Sequence, residues 1–180
     1  MEPEPITSAA ILSFLQRLGE RWEAPSTLYL LGGGALCLLG NPRETRDLDY
    51  AVKVAPEILS RFQETASRLA GEMQLDLEEV PLGEFVPLPP EAEQRRRFVG
   101  RFGQLDVYIF DPYSMALSKI ARGFESDLDD VMFMLGRDLI EFSELERYFQ
   151  AVLPKAAKLD IDLREFRQYF EEIRRRHSRS

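Results

Sequence analysis

Two aspartates one residue apart, Asp47 and Asp49, stand at the head of the apolar run Tyr50-Ala51-Val52. On a strand, where side chains alternate, that spacing sends both carboxylates to one face. Carboxylates sharing a face repel each other unless a cation lies between them. A hard divalent cation such as Mg²⁺ suits carboxylate oxygen and commonly keeps waters and substrate phosphates in its other positions. Upstream, the apolar run Leu28 to Leu31 ends in three glycines, Gly32, Gly33 and Gly34. Glycines after a strand let backbone N–H groups approach a phosphate with no Cβ in the way. A polar stretch holding Arg43, Thr45 and Arg46 joins the two features. Together they point to a site for a metal and a nucleotide.

The elements that must position these residues are readable in outline. Thr7 is set to cap a helix over about 8–22, with Ile11, Leu15, Leu18 and Trp22 at helical spacing. A strand ending at the glycines, a short helix from Ala35 to Leu39 and the Asp47–Val52 strand follow. Pro56 suits the first turn of a helix over 56–72, and 75–80 is a further strand. Residues 81–94 hold four prolines and read as a long loop. Strands at 98–102 and 105–110 turn at Gly103-Gln104, a hairpin. Asp106 interrupts the second of these. It is either a strand-end charge facing water or a carboxylate that needs a partner or cation. Asp111-Pro112 opens a helix to about Arg122. The last third is helical, with capping-box patterns at Ser143-x-x-Glu146 and Asp162-x-x-Glu165 and an apolar stripe through Leu163, Phe166, Tyr169, Phe170 and Ile173. The expectation is an α/β (α+β) fold with a small mixed sheet, a core over 1–135 and a helical extension over 136–180, single-domain overall. Residues 1–6 read as a loose end.

Composition sets limits. The 180 residues suffice for one domain with a real core. The net charge of −8 argues against duplex DNA as a partner, although a small nucleotide can be neutralised locally. One cysteine, Cys37, and one histidine, His177, exclude an internal disulfide and a zinc site. No apolar run is long enough to span a membrane, and the acidic start lacks a signal-peptide core, so the cytoplasm is the default location. Arg95-Arg96-Arg97 is either a solvated start to the following strand or a contact to a polyanion. The tail Arg174-Arg175-Arg176-His177 reads as a solvated helix end.

Gly33-Gly34 followed by Asp47-x-Asp49 resembles the signature of the DNA-polymerase-β-like nucleotidyltransferases. Arg43-x-Thr45-x-Asp47-x-Asp49 resembles the form found in its bacterial branches. The segment Asp111-Pro-Tyr…Lys119-Ile-Ala-Arg122, with Asp127-Leu-Asp-Asp130-Val, is similar to a region of the AbiEii-toxin relatives. There, a lysine and a following aspartate belong to the active-site set. One departure is Ser126, where the family often has a basic residue. The resemblance covers most of 28–135 and implies a nucleotidyltransferase fold. It implies Mg²⁺ (or Mn²⁺) in a two-metal site on Asp47, Asp49 and Asp106, with Lys119 among the catalytic groups. Gly33, Gly34, Arg43, Thr45, Arg46, Lys119, Asp127 and Asp130 would hold the nucleotide. The implied reaction moves a nucleoside monophosphate from a nucleoside triphosphate to a hydroxyl on tRNA, protein or a small molecule. A toxin–antitoxin role with a cognate toxin or antitoxin partner comes with the branch. The alternative is a catalytically silent protein of the same fold, binding or antitoxin-like. Asp106 falls where the family places its third acid.

Overall fold

A computed structural model describes residues 4–84 and 86–180. Residues 1–3 of the expected loose end, and Phe85 of the proline loop, lie outside the described residues. Among those described, the chain forms seven α-helices and one five-stranded mixed sheet. It divides into two compact units, Met1–Pro81 with Arg97–Ile109, and Leu82–Arg96 with Phe110–Ser180. The helices over Pro112–Arg122 and Glu125–Gly136 thus belong with the C-terminal helices, on the other side of a boundary that the sequence had suggested at residue 135.

The first unit holds the sheet. Strands β1 (Ser26–Leu31), β2 (Asp47–Lys53), β3 (Asp76–Glu79), β4 (Arg97–Phe102) and β5 (Leu105–Ile109) lie in the order β3-β2-β1-β5-β4. β1 runs antiparallel to β2 and parallel to β5. Leu28, Leu30, Leu48, Tyr50 and Val107 alternate onto one face and are buried. On the helical side, α1 (Ser8–Arg21) is capped by Thr7, whose Oγ1 accepts from Ala10 N, as its sequence position predicts. Trp22, just past α1, meets Phe62 of α3 (Leu59–Glu72) edge-on at 5.0 Å. Phe62 in turn contacts Tyr50 of the sheet. Between β1 and β2, α2 (Gly32–Leu38) starts at the glycines themselves rather than at Ala35. The expected start gave way because the glycines are packed against β2.

The second unit comprises α4 (Pro112–Arg122), α5 (Glu125–Gly136), α6 (Phe142–Ala156), α7 (Leu163–Arg179) and the 82–96 segment. Its core is aromatic: Phe149 stacks on Phe170 at 4.1 Å and meets Phe166 edge-on at 4.8 Å. Asp162 caps α7 by accepting from Arg164 N and Glu165 N. The Ser143 capping box does not form. Glu141 is the N-cap of α6, and Glu146 pairs instead with Arg174.

Burial pushes the Tyr50 hydroxyl pKa up, and Glu79 adds to the rise. A raised folded-state pKa contributes stability below the unfolded tyrosine value, and this is lost as pH rises through the folded one. Thermal melts between pH 9 and pH 11 should therefore show Tyr50→Phe losing less stability than the wild type over that range.

Candidate functional site

The glycine turn and the acid strand form one local structure. Gly32 has φ +58°, a left-handed conformation that other residues adopt only with strain. A Cβ at Gly32 would collide with Asp49 Oδ2, one at Gly33 with Thr45 Oγ1, and one at Gly34 with Leu48 Cδ1. Three successive glycines thus let the start of α2 lie directly against the loop and strand that carry Thr45 and Asp49. Thr45 is itself held in place, with its hydroxyl donating to Asp47 O at 3.4 Å and its carbonyl accepting from Ile6 N at 2.8 Å.

Asp47 and Asp49 share a sheet face, as their spacing requires. Asp47 is exposed and Asp49 half-buried. In the loop before them Arg43 is half-buried and Arg46 exposed. The arrangement offers two carboxylates, nearby guanidinium groups and a turn with no side chains of its own. Among the described residues no group of three or more His, Cys, Asp or Glu is set to hold a metal ion. The donor set at this end is built on the Asp47–Asp49 carboxylate pair, with Asp76 and Glu78 of β3 opposite them in the register. That pair fits Mg²⁺ arriving with a triphosphate, since this ion often takes only one or two protein carboxylates.

The sheet register does not bring Asp106 to that pair. Asp49 lies opposite Leu31 of β1, whereas Asp106 lies opposite Thr27. Four residues along a strand is about 13 Å, and two strand spacings separate β2 from β5 by about 10 Å more. Asp106 faces the same side as Asp49 but stands at the other end of the sheet. There Arg101 Nε and Nη2 donate to its two carboxylate oxygens at 2.6 and 2.9 Å. The hydrogen bond and charge of Asp106 raise the Arg101 pKa. Sequence reading could not see this, because it fixes which face a residue points to, not how far the paired strands are offset.

Lys119, Asp127 and Asp130 lie in the second unit and engage one another. Lys119 Nζ is 2.7 Å from Asp130 Oδ2 and 3.6 Å from Asp127 Oδ1, and all three side chains are buried. Arg122 closes the group with two bonds to Asp127, at 2.8 and 2.5 Å. Arg122, rather than a residue at position 126, supplies the ion pair to Asp127. The cluster ties α4 to α5.

Sequence reading also left out Asp111 as a charge partner. It is fully buried, caps α4 through Tyr113 N and Ser114 N, and takes a two-pronged contact from Arg95 at 2.8 Å. Arg95 stacks 4.3 Å from the Tyr148 ring and donates to Pro90 O. Burial works to lower its pKa, but the bond and charge of Asp111 outweigh this and raise it. Of the two readings of the arginine run, neither describes Arg95, which pins the proline segment to the helices. In the tail, Arg174 pairs with Glu146 and Glu171, and Arg176 with Glu125, Asp129 and Glu172.

Two outcomes follow from this geometry. Gly32→Ala should lower the melting temperature by about 2–8 °C, through the left-handed backbone alone, and should displace Asp49. Asp130→Ala leaves Lys119 with only the longer contact to Asp127. It should cost about 3 kcal/mol of unfolding free energy, readable in a urea titration.

Comparison with known proteins adds identity to this geometry. A family model described as "Nucleotidyltransferase of unknown function (DUF6036)" matches residues 9–177. No curated protein matches. Among solved structures, an antigenic nucleotidyltransferase-like protein from Paracoccidioides brasiliensis is similar in fold, with a TM-score of 0.51 and 16% sequence identity over 91% of this chain and 95% of that one.

Proposed function

We propose that this chain, which belongs to the nucleotidyltransferase family DUF6036, transfers a nucleoside monophosphate from a nucleoside triphosphate to a hydroxyl acceptor. The observation that carries the reading is the seating of the Gly32–Gly34 turn directly against the strand of Asp47 and Asp49. A phosphate and its counter-ion need such a place: backbone donors without side chains, next to acids that share a face.

The roles follow from chemistry. Asp47 and Asp49 would hold Mg²⁺ (or Mn²⁺) together with the triphosphate. When bound, the ion offsets negative charge on the phosphoryl oxygens during in-line displacement. Gly33 and Gly34, the turn residues of the family motif, would offer backbone N–H groups of the α2 start to phosphate oxygens. Arg43 and Arg46 supply positive charge to the phosphates, and Thr45 holds the loop that carries them. A role for Lys119, Asp127 and Asp130 toward the nucleotide is supported by motif resemblance to the AbiEii relatives. So are the toxin–antitoxin setting, a cognate partner protein and a bacterial origin.

A second reading has a specific observation in its favour. With Asp106 at the far end of the sheet, the acid that the resemblance assigns as the third metal ligand does not stand beside Asp47 and Asp49. A nucleotidyltransferase fold that binds nucleotide without turnover, as an antitoxin-like protein, fits that placement.

Thermal melts with Mg²⁺ and each nucleoside triphosphate test the shared premise. The wild type should be stabilised by mass action, by about 2.7 kcal/mol at a hundredfold excess over Kd. Asp47→Asn and Asp49→Asn should abolish this shift while leaving the metal-free protein as stable as before, or slightly more so. No shift with any of the four nucleotides would overturn nucleotide binding. Incubation with labelled triphosphates and cell extract then separates the two readings, since only an enzyme transfers label.

A further inference from the structure

The face that carries Asp47 and Asp49 has a second half. Pairing across the strands gives two rows on it. Ala51, Tyr29, Tyr108 and Phe98 lie side by side in one, and Lys53, Thr27, Asp106 and Arg101 in the next. A register shift between Phe98 and Gly100 of β4 lets both Phe98 and Arg101 face this side. The first row is aromatic: Tyr29 and Tyr108 are 6.1 Å apart, and Phe98 and Tyr108 5.3 Å. Phe98 is 62% exposed, a large apolar ring at the surface with the tilted ring of Tyr108 beside it. The second row lines an open cavity of about 270 Å³ with Ser26 and Gln104. Lys53 and Arg101 against Asp106 leave that row with one net positive charge. Asp106 fixes the Arg101 guanidinium through Nε and Nη2, and Nη1 takes no part in the pair.

An exposed aromatic ring with a carboxylate-paired guanidinium on the same strand, and an ammonium lining the same cavity as that guanidinium, is the chemistry that holds one nucleotide unit. The base stacks on the ring and the phosphate meets the cations. The rows are two residues apart along the strands, about 7 Å, which suits a base and its own phosphate.

We propose that this half of the sheet face is a second nucleotide-binding site. The base lies on Phe98, the phosphate lies at Arg101 and Lys53, and Asp106 serves as a positioning residue for Arg101. The occupant is a free nucleotide or a nucleotide of a single strand. Its role as the acceptor subsite rests on the transfer reaction proposed above; the binding itself does not.

The test uses the full chain in EDTA, so that the Asp47–Asp49 end contributes no metal-dependent binding. Fluorescence anisotropy follows a labelled single-stranded oligoadenylate, with AMP as competitor. The strand should bind with shallow salt dependence, a log–log slope of about −0.7 per phosphate contacted. Phe98→Ala and Arg101→Gln should each weaken binding about tenfold or more. Phe98→Tyr, which keeps the ring, should restore it. Asp49→Asn should bind the strand like the wild type although it loses the Mg²⁺–triphosphate shift, so the two sites fail independently. Competition by AMP supports the site with a free nucleotide as its ligand; strand binding that AMP does not displace supports it with a single strand. Absence of strand and AMP binding at submillimolar concentration, or wild-type affinity in Phe98→Ala, overturns it.

Discussion

The close packing of a side-chain-free turn against the acid strand is the contact that the first unit depends on. Gly32, Gly33 and Gly34 each face an atom of the 45–49 segment that a methyl group would have to push aside. The packing fixes the path of the loop between α2 and β2. That path sets where Arg43, Thr45 and Arg46 stand relative to the carboxylates. It also explains why α2 begins on residues with poor helix propensity: the cost of glycine in a helix is about 1 kcal/mol each, and close approach is what it makes room for.

The charges of the molecule are mostly spent internally. The net charge is −8, and many of the arginines are paired with carboxylates. Arg95 is held by Asp111, Arg122 by Asp127, and Arg174 and Arg176 by glutamates and an aspartate of neighbouring helices. The basic tail is therefore stitched to its own helices, and His177 stacks on Phe142. The buried pairs do more than the exposed ones. Lys119 with Asp130 joins two helices where removal of either partner leaves an uncompensated charge, whereas the pairs on α7 are partly exposed and more strongly screened. Among the described residues, no helix is long and apolar enough to cross a membrane.

A sheet face that carries acids at one end and an aromatic row with cations at the other is polar in a directional sense. Both ends are held by the same strands, so the distance between them is set by backbone geometry rather than by side-chain flexibility. Asp106 belongs to the second end through Arg101, and its strand position is what assigns it there.

The sequence alone was enough for the class of fold, the order of its elements and the side-by-side acids, because these depend on local rules. Period-two alternation put Asp47 and Asp49 on one face, Thr7, Asp111 and Asp162 capped the helices they precede, and the glycines announced a close approach. The extent of that approach, and its partners Asp49, Thr45 and Leu48, came only with the fold. Strand register is a long-range quantity. Asp106 has the right residue type on the right strand and the right face, yet pairing opposite Thr27 rather than Leu31 carries it to the other end of the sheet. The same holds for charge partners. Arg95 finds Asp111, and Arg122 rather than residue 126 finds Asp127, because helix packing decides which side chains meet in space, and no spacing along the chain encodes that.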